Sequence, residues 1–235
     1  MLGTIKTKFI FVALFMLPVF AFAQKGIFID TAQQDPYFLH PKDSLALKMD
    51  TISKKQFEIY LVKYKLTTDT NFSKIDHTDS SFTLKSDAFT RTYYADYKHY
   101  YEVNTYLGFI PELNLYIVDY VSGHNEIQFL NLVDAKTGKN YIVESPFDYG
   151  LGFPYLSPKA NYLLSWVNNL YETNNSYLVV LKVKKYREQY VLEKHAEILS
   201  TSFEINNVVW INDKRFALSV TDKITNKALF LETGL

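Results

Sequence analysis

Polar and apolar positions divide this chain into three textures. Phe9–Phe20 is an unbroken apolar run. Around residue 60 the apolar positions take helical spacing: Phe57, Tyr60, Leu61 and Tyr64 fall at i, i+3, i+4 and i+7, and Lys54, Lys55 and Glu58 take the other side. Ser53 stands where it can cap that helix, with Gln56 three residues on, so the pattern predicts a helix over 53–64. From Ser80 onward, runs of aromatic and β-branched residues alternate in part with polar ones, which is strand texture. Phe82–Ser86 and Thr90–Tyr97 are the first two runs, and His99–Tyr101 leads into the next. Residues 24–50 are broken by Pro36 and Pro41 and read as an irregular lead segment.

The strand texture repeats. Leu107–Tyr120, Phe153–Trp166 and Val208–Val220 each hold an aromatic–aliphatic pair (Phe109-Ile110, Tyr155-Leu156, Trp210-Ile211), then a polar turn with Pro, Asn or Asp, then an apolar strand led by an aromatic (Tyr116, Tyr162, Phe216). Turn residues between two strand-forming runs make a hairpin. Ile127–Val133 with Tyr141–Val143 continues the first unit, and Tyr177–Val183 with Tyr190–Leu192 the second, giving four strands each. The third unit stops after Ala228–Leu231, one strand short. Its unpaired edge needs cover, which the helix or the strands near 80–101 are expected to supply. Phe109, Tyr155 and Trp210 are expected in like places, largely buried. Phe109 to Tyr155 is 46 residues and Tyr155 to Trp210 is 55, against roughly 40–50 for propeller blades, with the excess in the polar stretch Asn168–Ser176.

Tyr155-Leu-Ser-Pro-Lys-Ala-Asn-Tyr-Leu-Leu164 resembles the aromatic-aliphatic-Ser-Pro-Asp-Gly-Lys turn of Tol-type and other WD-like propeller blades, with Lys-Ala-Asn in place of Asp-Gly-Lys. The resemblance implies architecture rather than activity. Closed propellers need at least about four blades, so three units imply a partial or small propeller, or an open stack of sheets. The fold class is all-β, antiparallel meander repeats, with one short N-terminal helix.

The apolar run at the start changes the picture of where the chain works. Lys6 and Lys8 precede it, and Ala21-Phe22-Ala23 follows it as a small-x-small cleavage signal, so residues 1–23 are expected to leave as a signal peptide between Ala23 and Gln24. The run is well short of the roughly twenty residues a membrane span needs, and no stable span is expected after cleavage. Residues 24–79 form an N-terminal segment with the helix, and 80–235 the repeat domain. Asp30-Thr31-Ala32, Asp43-Ser44-Leu45 and Asp50-Thr51-Ile52 resemble the Asp-Ser/Thr-aliphatic acceptor motif of a bacterial periplasmic O-glycosylation system, which implies Thr31, Ser44 and Thr51 as acceptors.

Composition narrows the partners. With 25 Lys and Arg against 25 Asp and Glu, the chain lacks the basic stripe that nucleic acid or an anionic membrane surface would demand. Lys182, Lys184 and Lys185 alternate with Leu181 and Val183 and read as the wet face of a strand. Without cysteine the fold is held by its core alone, and 19 Tyr and 18 Phe provide the material. Abundant rings also suit stacking on sugar faces.

Few residues carry a chemical signal. The five histidines, His40, His77, His99, His124 and His195, include no helical zinc pair, and there is no Gly-x-Ser-x-Gly elbow or phosphate-binding glycine loop. Asp76-His77-x-Asp79 reads as a polar turn and His124 as a turn residue. Asp119 lies inside an apolar strand, and alignment on the strand-leading aromatics Tyr116, Tyr162 and Phe216 places Ser165 and Ser219 at the same position. A small polar residue recurring inside apolar strands satisfies a neighbouring group, or lines the channel where a propeller binds its ligand. These three are the candidate ligand-binding residues; no catalytic set, metal site or cofactor is expected. The expected role is a non-enzymatic binding or scaffolding module of the cell envelope, in the periplasm or outside the cell, facing a protein or a glycan. The alternatives are an envelope hydrolase acting on glycans or peptides, and an inhibitor or assembly partner of another secreted protein.

Overall fold

The computed structural model describes residues 37–38, 45–64, 69, 75–95, 102–123, 127–143, 145, 150–170, 175–186 and 189–235. In chain order the elements are β1 (Tyr37–Phe38), β2 (Leu45–Ala46), β3 (Met49–Thr51), α1 (Lys54–Lys63), β4 (Asp76–His77), β5 (Ser81–Lys85), β6 (Thr90–Tyr94), β7 (Glu102–Ile110), β8 (Leu115–Ser122), β9 (Ile127–Asp134), β10 (Asn140–Val143), β11 (Tyr155–Leu156), β12 (Tyr162–Leu170), β13 (Asn175–Tyr186), β14 (Gln189–Ser200), β15 (Phe203–Asn212), β16 (Arg215–Asp222) and β17 (Ala228–Gly234). The expected signal peptide with its cleavage point at Ala23 and Gln24, the acceptors Thr31 and Ser44, and His40, His99 and His124 lie outside the described residues. Thr51 lies exposed in β3.

Strands β7–β10 form a first antiparallel meander and β11–β14 a second, and β15–β17 make a third of three strands. Strands β4–β6 form a small antiparallel sheet of their own. The fold is therefore mostly β, as its aromatic and β-branched content dictates. Four apolar clusters join the layers in sequence. Ile75, Phe82, Leu84 and Tyr93 of the small-sheet region meet Tyr106, Val118 and Val133 of the first meander. Ile117, Leu130 and Leu132 meet Leu163, Val179 and Leu181 between the first and second meanders. Leu164, Leu178 and Val180 meet Val208, Trp210 and Phe216 between the second and third. On the far face of the third, Val209, Ile211 and Ala217 meet Phe57 of α1. Alternation along each strand sends successive side chains to opposite clusters. Among the described residues no cluster joins the third meander to the small sheet, so no closed ring is present.

The described residues of the lead segment include strands. Its three described strands each add to the outer edge of one meander: β1 parallel to β10, β2 parallel to β14 and β3 antiparallel to β17. The fourth strand missing from the third meander is thus Met49–Thr51, and Ile52 N–H adds a bond to Phe230 O at 2.9 Å. The helix follows at once and covers the same sheet. The strands between 81 and 94, expected as possible cover for this edge, lie at the opposite end of the stack. Edge strands of two or three residues need only backbone pairing, and pairing keeps the edges from templating aggregation.

The helix runs one residue inside its expected bounds at each end. Ser53 Oγ accepts from Gln56 N–H at 3.2 Å, a side-chain N-cap. Phe57 is buried, with its ring 5.4 Å from that of Phe230, and Tyr60 and Tyr64 pack beside it. Leu61, expected on the buried stripe, is instead exposed beside Ile59 and Val62: a helix lying on one sheet buries only the line 57–60–64.

The first two hairpins reveal a register offset that the sequence pattern hides. In the first, Ile110 pairs with Leu115 around the turn 111–114, and Phe109 pairs with Tyr116. In the second, Ser157 N–H bonds Tyr162 O at 2.8 Å around the turn 158–161, and Leu156 pairs with Leu163. Leu156, not Tyr155, is thus the counterpart of Phe109. Trp210, opposite Phe216, is the counterpart in the third meander and is buried, whereas Phe109 and Tyr155 are half-buried. Each turn relaxes through one residue at positive φ, Asn114 at 54° and Ala160 at 58°. The polar stretch 168–176 is also shorter than expected, since β12 runs to Leu170 and β13 starts at Asn175.

Candidate functional site

The apolar layer between the first and second meanders gives way at one end to a cleft of about 480 Å³. Leu107 of β7, Asp119 of β8 and Gln128 of β9 line one side, and Trp166, Val167 and Asn168 of β12 the other. The connection Gly150–Tyr155 runs between them. Two glycines let it pass. A side chain at Gly152 would stand 2.8 Å from the Trp166 carbonyl, to which Gly152 N–H is already bonded at 2.8 Å. One at Gly150 would collide with the Gln128 side chain.

Asp119 follows Leu115 and Ile117 on the face of β8 turned toward the second meander. Its two carboxylate oxygens both accept from Gln128 Nε2, at 3.0 and 2.9 Å. Burial pushes this carboxyl above its ordinary value, and the Gln128 bond opposes the shift. Phe153 packs on the cleft side, while Tyr155 and Trp166 border the cleft and turn their rings toward the third meander. Tyr155 and Trp166 are stacked with centroids 4.8 Å apart, and Phe153 meets Tyr155 edge-on at 6.0 Å. Burial also raises the Tyr155 phenol, which stays neutral. Among the described lining residues Asp119 is the sole charged group.

The three aligned candidates have different surroundings. Ser165 shares the face of Leu163 and Val167, so it points across the interface toward the face that carries Asp119. Its hydroxyl donates to Gly152 O at 2.5 Å and pins the connection that floors the cleft. Ser219 shares the face of Ala217 and looks toward the helix, away from the cleft. The register offset explains the split: counted from the turn, Trp166 rather than Ser165 matches Asp119. Gln128, Gly150, Gly152, Phe153 and Trp166 were not singled out from the sequence. The pair of glycines, in a chain with only 8, was the available signal.

Other polar groups knit the scaffold. Asp213 in the third meander's first turn grips the equivalent turn of the second. Its Oδ1 accepts from Ser157 Oγ at 2.6 Å and Lys159 N at 2.9 Å, and its Oδ2 from Asn161 Nδ2. Burial raises this carboxyl, but the bonds from Ser157, Asn161 and the Lys159 amide outweigh it and hold it below its ordinary value. Tyr177 OH donates to Glu197 at 2.9 Å, and Lys194 pairs with the same carboxylate. Lys184 and Lys185 lie exposed, with Lys184 bonded to Glu193 at 2.6 Å, and Lys182 is half-buried. His195, beside the Tyr162 ring, is shifted downward by burial and by Lys182. Asp76 and His77 form a short edge strand rather than a turn; Asp76 pairs with Lys85. Among the described residues no three His, Asp or Glu side chains gather as metal ligands, and no helix is long and apolar enough to cross a membrane.

No family model, curated protein or solved structure matches this chain.

Proposed function

We propose that this chain is an exported, non-enzymatic binding module of the cell envelope, built as an open, propeller-like stack, and that it takes its ligand in the cleft between the first two meanders. One observation carries the reading: a carboxylate held on both oxygens by Gln128, set in a largely apolar cleft of ligand size. The apolar lining supplies contact area, and a fixed polar group sets orientation. The equivalence of the Pro111 and Pro158 turns supports descent of the units from one blade-like repeat. The basic residues, apolar run and Ala-Phe-Ala of the first 23 positions support export. An envelope hydrolase is the second reading, favoured by the upward shift of Asp119, which suits an acid catalyst.

The test is capture from a cell-envelope extract with the intact chain, with Asp119→Ala and Phe153→Ala, and with the surface control Lys184→Ala. A partner or glycan retained by the intact chain and the control, and lost by both cleft variants, supports the reading. Retention by the cleft variants overturns it. Mass spectrometry of the native protein should show Gln24 as its first residue; an intact Met1 on membrane-bound protein would overturn export.

A further inference from the structure

We infer that the outer face of α1 is a docking surface for an anionic lipid bilayer. The inference is independent of the cleft. The helix is the layer laid on the far face of the third meander, with Phe57, Tyr60 and Tyr64 turned down onto the sheet. Helical spacing then puts Lys55 and Val62 at the outer pole, with Ile59 and Lys63 on one flank and Glu58 and Lys54 on the other. That outer side is not purely polar. Val62 is 85% exposed, Ile59 48% and Leu61 37%, so three of the seven large apolar side chains exposed among the described residues belong to one helix of ten residues. None of the three belongs to the apolar cluster beneath the helix. A concentration of exposed apolar side chains marks a contact surface rather than a solvated one.

Charge and area decide between the occupants. Lys54, Lys55 and Lys63 all stand exposed on this helix against one acid, Glu58, which Lys54 already pairs at 3.7 Å. The whole chain is charge-balanced, but here the fold gathers lysines around apolar side chains. A second copy docked through the same face would set lysine against lysine. Area also disfavours a folded partner: ten helical residues span about 15 Å, so the outer face offers on the order of 150 Å², against roughly 800 Å² per side in a standard protein interface. A bilayer needs neither a groove nor that area. Val62 and Ile59 can enter between headgroups while the lysine stems lie along them and hold their ammonium groups at headgroup level. Anionic lipid supplies the opposite charge, and each lysine near its surface raises partitioning by roughly fivefold.

The test uses the absence of cysteine from the chain. A polarity-sensitive fluorophore is attached through Val62→Cys, and in a separate chain through Leu199→Cys, which is exposed on the second meander. Each labelled chain is titrated with vesicles of phosphatidylglycerol and phosphatidylethanolamine, and with vesicles of phosphatidylcholine alone. The expected result is a blue shift at position 62 with the anionic vesicles only, reversed by high salt, and none at position 199. Lys55→Gln and Lys63→Gln should each weaken the vesicle affinity about fivefold at low salt. A chain held by Phe9–Phe20 alone would bind both kinds of vesicle and leave position 62 unshifted. No shift at position 62, an equal shift with both kinds of vesicle, or equal shifts at positions 62 and 199 overturns the inference. A shift that needs no vesicles and grows with protein concentration identifies a second copy as the occupant and overturns it as well.

Discussion

The two interfaces between meanders are built from the same kind of strand and end differently. Between the second and third, polar bonds cross at both ends of the apolar layer. Asp213 clamps the 157–161 turn at one end. At the other, Asn168 Nδ2 donates to Ile205 O at 2.7 Å, its Oδ1 accepts from Ile205 N at 3.0 Å, and Ser176 Oγ donates to Phe203 O at 2.9 Å. Trp210 Nε1 donates to Tyr155 O at 3.0 Å within the layer. Between the first and second, Tyr190 OH donates to Glu112 O at 3.1 Å, and Tyr141 OH to Tyr190 O, at the turn end. The opposite end holds Asp119, Gln128 and the cleft. The same kind of interface is thus bonded at both ends in one case and left open at one end in the other, through a few residues at the rim.

The comparison breaks most readily at Trp210. Truncation to Ala should cost about 3–5 kcal/mol in urea unfolding, since it empties a buried site. A cost below about 1 kcal/mol would show that this interface is not the stabilising one. Asn168→Ala should cost about 2 kcal/mol, because it leaves both polar groups of Ile205 without partners. Asp119→Asn, at the same end of the open interface, should change stability by under about 1 kcal/mol; similar losses from the two would erase the distinction.

Acid separates the interfaces further. Asp213 is held below its ordinary 3.8, so its contribution is full above that value and is lost as pH falls through the lowered folded pKa. Asp119 is raised above 3.8, so the folded state binds the proton more tightly. Its contribution is greatest below 3.8 and declines as pH rises through the raised folded pKa. Urea midpoints followed across the acid range should show Asp213→Asn removing an acid-side loss and Asp119→Asn removing an acid-side gain; shifts of the same sign would contradict the assignment. The smallest effect is at Ala160. Its φ of 58° disfavours a β-carbon, so Ala160→Gly should stabilise by under about 1 kcal/mol in the same urea assay, and a destabilisation would contradict the turn geometry.

The meanders were legible because Pro111, Pro158 and Asn212-Asp213 break runs of strong strand formers, and such breaks mark hairpins whatever the tertiary context. The helix was legible from Ser53 and the 57–60–64 spacing, but Leu61 was not, because a sequence shows which residues share a face and not how wide a face the sheet covers. The strap formed by β1–β3 escaped notice since two residues of edge strand have no period. Ser165 was misplaced by the shift of one residue between the aromatic pair and the turn, and in a strand one residue exchanges the two faces. The cleft was visible only through Asp119. Gln128 and Gly150 lie close to Asp119 only after the sheets have stacked.

The strap has a kinetic consequence. Thr51 pairs with Leu231, and Tyr37 with Tyr141, so the part of the chain made first finds its partners only when much later strands exist. Such long sequence separations slow folding, because the loop must close before any contact rewards it. Until then the outer edges of all three meanders stand bare, in the state where strands pair with the wrong chain. The strands of the lead segment are therefore expected to dock last, closing edges that the later strands leave open.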